Sequence, residues 1–395
     1  MLLKLVLSLL GLCLLLSLLL CRLRLQCRCL DSRRTLAYVT NYGSSTVSVI
    51  NTATNTVINT ITVGTNPISV AFNPSGTFAY IANYLSGTVS IINTATNTVV
   101  NTITVGSELI SIAINPSGTL AYVANAGSGT VSVINTEIIT ATKAVGSILN
   151  SLNYPTGVAV SPNGAYGYIA NYGTNNITMF NIATDKITGS INSGLFNRPF
   201  GIAFSPNGGY AYVANSKFNN ITIINTSTNK VSGVFELYPN LGYSLHGIAF
   251  SPNGANGYVT VQSNNNIIPD NITIFNTTTK TIIASINNDF SNSTGISIAP
   301  NGKYAYISNF ASSNVIILNT ITKTVSGAIT SDINHPYGVS ISPNGAFAYV
   351  TNCNVGCGSS IPDNVVVINT TTNTIIGSLT SGFNVPFGIA IFRPS

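Results

Sequence analysis

A segment of 42 to 48 residues recurs eight times along this chain, and no other feature limits the fold so strongly. The copies are aligned by one tyrosine, which stands at Tyr38, Tyr80, Tyr122, Tyr168, Tyr212, Tyr258, Tyr306 and Tyr349. In the last full copy, two alternating apolar runs, 338–341 and 347–350, flank the sequence Ser-Pro-Asn-Gly. Proline presets φ and glycine supplies the positive φ that closes a tight turn, so each copy is predicted to contain a β-hairpin.

A period of this length, built only from strand signals, is typical of a β-propeller in which each copy forms one four-stranded sheet. One strand of each copy, such as Gly338–Ile341, alternates small residues with Ile, Val or Phe. We place it innermost, because blades converge toward the axis and leave least room there.

This placement predicts how the ring closes. The chain begins with the three outer strands of a blade, 36–63, and ends with an inner strand alone, 388–391. The sequence therefore predicts an all-β, eight-bladed propeller of four-stranded antiparallel blades over residues 36–395, closed by N-terminal and C-terminal strands that share a blade. Seven blades with one stray unit is the alternative.

Four residues that begin with the recurring tyrosine also carry a family resemblance. They read Tyr-Val-Thr-Asn at 38–41 and 349–352, with variants at 80–83, 122–125, 168–171, 212–215 and 306–309. The sixth copy departs, since Val261 stands where the asparagine is expected. Together with the Pro-Asn-Gly turn and the Asn-Thr segment that follows, the chain closely resembles the YVTN family of β-propeller repeat proteins. That resemblance implies an archaeal or bacterial surface-layer or cell-surface protein.

The net charge of +6 comes mainly from residues 1–35, which hold six basic residues against one acid. The propeller is left with nine basic and eight acidic residues, so it has no surface suited to neutralising phosphates, and nucleic-acid binding is not expected. Residues 1–35 also contain an apolar run of 17 residues, Leu5–Cys21. The run is long for the core of a signal peptide and short for a membrane span, and a miscalled start is a third reading. We expect a membrane-targeting leader and an extracytoplasmic location.

The candidate binding residues lie in the loops that vary between copies, where rigid scaffolds usually carry function. Two insertions, 261–271 and 353–364, end in Ile-Pro-Asp-Asn, and each histidine precedes an inner strand. Good turn chemistry explains Pro-Asp-Asn better than a cation site does. The predicted binding face comprises His246, Asp270, Asn271, His335, Tyr337, Asp363, Asn364 and Phe387. A disulfide between Cys353 and Cys357 is predicted in an oxidising compartment.

No catalytic, cofactor or metal constellation stands out, because His, Asp and Glu are scarce. The sequence therefore predicts a non-enzymatic cell-surface or secreted scaffold that binds other surface proteins or glycans, with membrane attachment through residues 1–35. The alternative is an extracytoplasmic propeller enzyme of the lactonase or quinone-dependent dehydrogenase type. Such enzymes gather His, Arg and carboxylates at the channel mouth, where this sequence places Arg198, His246 and His335.

Overall fold

The computed structural model describes residues 35–136, 146–147, 152–218, 220–237, 243–263, 270–287, 290–354 and 362–392. These residues form 32 β-strands in eight sheets of four antiparallel strands. Among them, no helix has the length and apolar character needed to cross a membrane.

Each sheet is one blade, and we number the blades in chain order. Blade 1 combines β32 (Pro386–Phe392) with β1 (Leu36–Asn41), β2 (Thr46–Asn51) and β3 (Thr56–Thr62). Blade 2 contains β4 (Pro67–Phe72), β5 (Phe78–Asn83), β6 (Thr88–Asn93) and β7 (Thr98–Thr104). Blade 3 contains β8 (Leu109–Ile114), β9 (Leu120–Asn125), β10 (Thr130–Asn135) and β11 (Gly146–Ser147). Blade 4 contains β12 (Pro155–Val160), β13 (Tyr166–Asn171), β14 (Asn176–Asn181) and β15 (Lys186–Asn192).

The second half of the chain repeats this plan. Blade 5 contains β16 (Pro199–Phe204), β17 (Tyr210–Asn215), β18 (Asn220–Asn225) and β19 (Lys230–Glu236). Blade 6 contains β20 (Tyr243–Phe250), β21 (Asn256–Ser263), β22 (Asn271–Asn276) and β23 (Thr281–Ile286). Blade 7 contains β24 (Ser293–Ile298), β25 (Tyr304–Asn309), β26 (Asn314–Asn319) and β27 (Thr324–Ile329). Blade 8 contains β28 (Pro336–Ile341), β29 (Phe347–Asn352), β30 (Asn364–Asn369) and β31 (Thr374–Leu379).

The blades form a closed ring in sequence order, because each inner strand contacts the inner strands of the two neighbouring blades. The last strand closes the ring by pairing antiparallel with the first, with Tyr38 opposite Ala390 and Leu36 opposite Phe392. The predicted eight-bladed propeller with a shared closing blade is confirmed, and the seven-bladed alternative is wrong.

Small residues on the inner strands let neighbouring blades approach closely. A Cβ atom added at Gly338 would lie 2.7 Å from the carbonyl oxygen of Phe387, in the next inner strand. One added at Gly388 would lie 2.6 Å from the carbonyl oxygen of Ile68. These distances are too short for any side chain, and the obstacle is backbone that cannot rotate away. The small-and-large alternation of the inner strand is thus a packing requirement at the axis.

The recurring tyrosine joins each blade to the next. All eight rings are buried between blades, where eight apolar clusters form the core. The hydroxyl of Tyr306, for example, donates to Oδ1 of Asn373 in the following blade at 2.6 Å. Burial raises the pKa of Tyr306 to about 12, so its hydroxyl remains a donor at neutral pH.

Candidate functional site

The two faces of the ring are built differently. The entry face carries the connections into the inner strands and those between the second and third strands of each blade. The turn face carries the Pro-Asn-Gly and Pro-Ser-Gly turns and the Asn-Thr turns. The two insertions identified in the sequence, 261–271 and 353–364, connect second and third strands and therefore begin and end on the entry face.

A ring of left-handed residues surrounds the mouth of the channel on the entry face. In seven blades the residue just before the inner strand has φ between 48° and 53°, and these residues are Asn66, Glu108, Tyr154, Arg198, Asn292, His335 and Val385. The backbone carbonyl of each accepts a hydrogen bond of 2.9–3.2 Å from the backbone N–H of the residue that directly follows the second strand of the same blade. A non-glycine residue in this conformation costs about 1–2 kcal/mol. Eleven other non-glycine residues among those described have the same sign of φ, in loops on both faces, so the conformation belongs to the repeated loop geometry of the blades.

One side of the mouth forms a polar arc, which we define as Tyr84, Glu108, Tyr154, Tyr172 and Arg198. The Glu108 carboxylate lies beside the Tyr154 phenol, and burial first and this neighbouring carboxylate second raise the pKa of Tyr154. The rings of Tyr154 and Tyr172 have centroids 5.7 Å apart. The Arg198 guanidinium carbon lies 5.4 Å from the Tyr172 centroid, within the range of a cation–π contact. The polar arc therefore brings together a carboxylate, three phenols and a guanidinium from blades 2 to 5.

The other side forms an aromatic arc, which we define as Tyr42, Phe310, His335, Tyr337 and Phe387. The ring centroid of Phe387 lies 6.1 Å from that of Tyr42 and 3.7 Å from that of Tyr337. The centroid of Phe310 lies 6.5 Å from that of Tyr337 and 4.8 Å from that of His335. All five residues are partly exposed. Three of the predicted binding residues, His335, Tyr337 and Phe387, are therefore close together in one partly exposed platform.

The two Ile-Pro-Asp-Asn insertions support the mouth from outside. Oδ2 of Asp363 accepts the N–H of Val385 at 2.6 Å, and a carboxylate oxygen of Asp270 accepts the N–H of Asn292. Oδ1 of Asp363 also accepts the N–H of Asn354 at 2.6 Å. Both aspartates are buried. Each thus holds a left-handed residue of the next blade in place, and ligand binding by them stays a prediction.

The remaining predicted residues have mixed outcomes. Asn364 is buried, and its Oδ1 accepts from Nδ2 of Asn352 at 2.7 Å. The equivalent Asn271 pairs across the sheet with Val261, which has no amide to donate to Oδ1 of Asn271. That Oδ1 accepts from Oγ1 of Thr273 at 3.0 Å instead, and Nδ2 of Asn271 has no partner among the described residues. The side chain of His246 lies outside the described residues, although its backbone belongs to β20. Cys353 is disulfide-bonded, but Cys357 lies outside the described residues, so the specific pairing stays a prediction.

Glu108, Tyr154 and Tyr172 were not singled out from the sequence. The signal that finds Glu108 and Tyr154 is the position just before each inner strand, which can be aligned across the copies because proline often follows it. Tyr172 instead directly follows the second strand of blade 4. Within the part of the chain that the structure describes, no three His, Cys, Asp or Glu side chains form a group that could hold a metal ion. The chemistry available at the mouth is therefore that of a carboxylate, phenols, a guanidinium and an imidazole.

Comparison with known proteins relates this ring to enzymes. Residues 111–237 match a family model described as lactonase, 7-bladed beta-propeller. No curated protein matches the chain.

Solved structures extend the likeness to the whole ring. The dihydro-heme d1 dehydrogenase NirN in complex with DHE is 14% identical, with a TM-score of 0.72 over 90% of this chain and 74% of that chain. Hydrazine synthase from Kuenenia stuttgartiensis is 20% identical, with a TM-score of 0.61 over 82% of this chain and 98% of that chain. A 6-phosphogluconolactonase candidate from Bacteroides uniformis is 18% identical, with a TM-score of 0.61 over 77% of this chain and 98% of that chain. At these identities the likeness shows the β-propeller fold.

The expectation of a non-enzymatic surface scaffold is contradicted by these comparisons. The family model matched at 111–237 is described as a lactonase, which is a class of enzyme. The expectation was based on the scarcity of His, Asp and Glu in the sequence. That scarcity is not sufficient to exclude an enzyme.

Proposed function

We propose that the protein is a propeller hydrolase that opens lactones at the polar arc. The observation that carries this proposal is the chain of contacts from Glu108 through Tyr154 and Tyr172 to Arg198. Three of these four residues lie within the segment that matches the lactonase model, and Glu108 lies three residues before it. The carboxylate at one end of this chain of contacts and the guanidinium at the other supply the base and the positive charge that acyl transfer to water requires.

The proposed reaction assigns a role to each group. The Glu108 carboxylate accepts a proton from water, and the resulting hydroxide adds to the lactone carbonyl. Arg198 stabilises the oxyanion of the tetrahedral intermediate. The ring C–O bond then breaks, and the leaving alkoxide takes the proton back from Glu108, so that the product is a hydroxy acid. Tyr154 remains protonated because its pKa is raised, and it orients the carboxylate by donating to it.

Ring opening releases acid, so it can be followed by titration at constant pH with a panel of sugar and alkyl lactones. Glu108→Gln is expected to lower kcat/KM by about 10²–10⁴-fold, and Arg198→Gln by about 10²–10³-fold. The matched controls are Glu236→Gln and Lys217→Gln, which make the same changes on the entry face outside the polar arc. Full activity in Glu108→Gln, or no activity toward any lactone in the panel, would reject the proposal.

A second candidate function is suggested by the aromatic arc, which offers a stacking platform for a planar redox cofactor such as a quinone or a tetrapyrrole. Two observations fit such a group: the Tyr337–Phe387 stack with centroids 3.7 Å apart, and Nδ1 of His335, which is buried without a hydrogen-bond partner among the described residues. A bound cofactor would supply electron transfer that side chains cannot provide. The rings of Tyr337, Phe387 and Phe310 would hold its plane, and His335 would contact its edge.

This second candidate is tested by adding hemin, or a soluble quinone, to the full chain and recording the absorption spectrum. A saturable spectral shift would support it, provided that Phe387→Ala lowers the affinity for the added compound about tenfold or more. A loss of this size is expected when a stacked ring worth about 1–3 kcal/mol is removed. Phe218→Ala, an exposed phenylalanine on the entry face outside the arc, is the control. An unchanged spectrum with both compounds counts against a cofactor.

We also propose that the enzyme works outside the cytoplasm, and that its repeats are of the YVTN type. The tetrapeptides and the apolar run Leu5–Cys21 support this location. Mass spectrometry of the mature N-terminus, together with fractionation of the parent cells, tests it. A full-length chain confined to the cytoplasm would contradict it.

A further inference from the structure

Basic residues on the turn face form a lysine arc, which we define as Lys186, Lys230, Lys280, Lys303 and Lys323. They begin or directly precede the outer or second strands of blades 4 to 7, four consecutive blades of the ring. Lys186, Lys230 and Lys303 are exposed, and the other two are partly exposed. Nζ of Lys280 lies 4.0 Å from the ring centroid of Tyr210, so an aromatic contact holds this charge at the surface. The lysine arc thus places five positive charges along four consecutive blades of one face.

Acidic residues are placed on the opposite side of the ring. Among the described residues, the entry face carries Glu108, Glu236, Asp270, Asp332 and Asp363, against Arg198 and Lys217. The turn face carries one acid, Asp185, whose pKa is raised by burial. The total charge of the propeller is therefore close to zero, but its two faces carry opposite net charge, negative on the entry face and positive on the turn face.

An apolar side chain accompanies the lysines. Ile321 is 67% exposed on the turn face, in the same blade as Lys303 and Lys323. Lysines that surround an exposed aliphatic residue are typical of surfaces that bind at the boundary between lipid headgroups and acyl chains.

The chain also enters the propeller from the turn face. Strand β1 begins at Leu36 at that face, where the N–H of Thr52 donates to the carbonyl of Thr35 at 3.1 Å. The apolar run Leu5–Cys21 precedes this point, separated from it by 14 residues that include five arginines. Fourteen residues span at most about 50 Å. A leader held in a bilayer therefore draws the turn face toward the same bilayer.

We infer that the propeller lies with its turn face against an anionic phospholipid surface, so that the channel mouth on the entry face opens away from the membrane. The lysine arc and the leader supply independent attractions to this surface, and the acidic entry face is repelled by it. The site proposed above would then receive soluble substrates.

The test is hydrogen exchange of the full chain on vesicles of phosphatidylcholine, with or without phosphatidylglycerol. On anionic vesicles, amides of the turn-face segments 226–230, 277–281 and 320–324 are expected to exchange more slowly, by about fivefold or more. The entry-face segments 216–218 and 310–314 are expected to exchange as in the free protein. Protection confined to the turn-face segments reports the orientation of the ring, and the lysine variants below separate it from attraction of the leader to either vesicle.

Variants separate the lysine arc from the leader. Changing Lys230, Lys280, Lys303 and Lys323 together to Gln should abolish the turn-face protection, whereas changing the same four to Arg should preserve it. Lys217→Gln on the entry face is the control and should behave as the unaltered chain. Protection that is equal on both faces, that survives the Gln changes, or that appears equally without phosphatidylglycerol would overturn the inference. Protection by a soluble anionic polysaccharide but not by vesicles would also overturn it.

Discussion

At the scale of single residues, the tyrosine hydroxyl and its acceptor explain why the repeats are so similar. Tyr38, Tyr168 and Tyr349 each donate at 2.5 Å to an asparagine in a turn of the next blade. Those acceptors, Asn97, Asn229 and Asn55, have φ of 53–54°, which asparagine tolerates better than most residues. The tyrosine and the asparagine were visible in the sequence, but their partnership was not, because it joins different copies.

In blade 4, Asp185 stands where asparagine accepts in blades 1, 2, 5 and 8, and Tyr122 donates to it at 3.2 Å. Burial raises the pKa of Asp185. When the pKa of a carboxyl group is higher in the folded protein than in the unfolded chain, the group stabilises the fold at pH values below the pKa of the unfolded chain. This contribution disappears as the pH rises through the pKa of the folded protein. Asp185→Asn should therefore raise the melting temperature at neutral pH and flatten its dependence on pH above about 4.

Thermal melting between acidic and neutral pH measures this effect. Asp332→Asn, the same change at an exposed position on the entry face, should have little effect. If Asp185→Asn melts lower than the unaltered chain at neutral pH, the carboxylate is needed in its charged form and the argument fails.

At the scale of strands, the inner strand is where the sequence was most informative. Its alternation of small and large residues predicted that this strand is the innermost of its blade. The pattern repeats within every copy, so it can be recognised without knowing the structure of the loops. The polar arc could not be found this way. Glu108, Tyr154 and Arg198 each occur in one copy only, and they become neighbours when consecutive blades are placed side by side.

The close approach of inner strands gives a prediction with an internal control. Gly338→Ala should destabilise the protein by about 1–3 kcal/mol, because the added methyl meets the carbonyl oxygen of Phe387 at 2.7 Å. Gly377→Ala, in the outer strand of the same blade, adds a methyl with no atom within 4 Å. It should be neutral or slightly stabilising.

Urea unfolding of both variants measures the difference. Gly338→Ala should also weaken whatever binds at the aromatic arc, because Phe387 must move to make room. Equal stability of the two variants would show that the inner strands can separate without cost.

At the scale of the whole molecule, ring closure depends on strand β32. Its pairing with β1 supplies the innermost ladder of blade 1. Deleting residues 387–395 should expose the edge of β1 and remove that ladder, so the protein should melt at a lower temperature and aggregate. Deleting residues 393–395 alone leaves β32 complete and serves as the control. Unchanged melting of the longer deletion would mean that the ring is closed by other contacts.

The shared blade also has a consequence for biosynthesis. The first three strands of the ring leave the ribosome long before their partner strand, because β3 ends at Thr62 and β32 begins at Pro386. At about 5–20 residues per second, those strands wait roughly 15–65 s with an unpaired edge. Chains that end prematurely, even a few residues short of β32, cannot close. The propeller therefore completes its fold only after β32 has left the ribosome, and products truncated before β32 stay recognisable by their open edge.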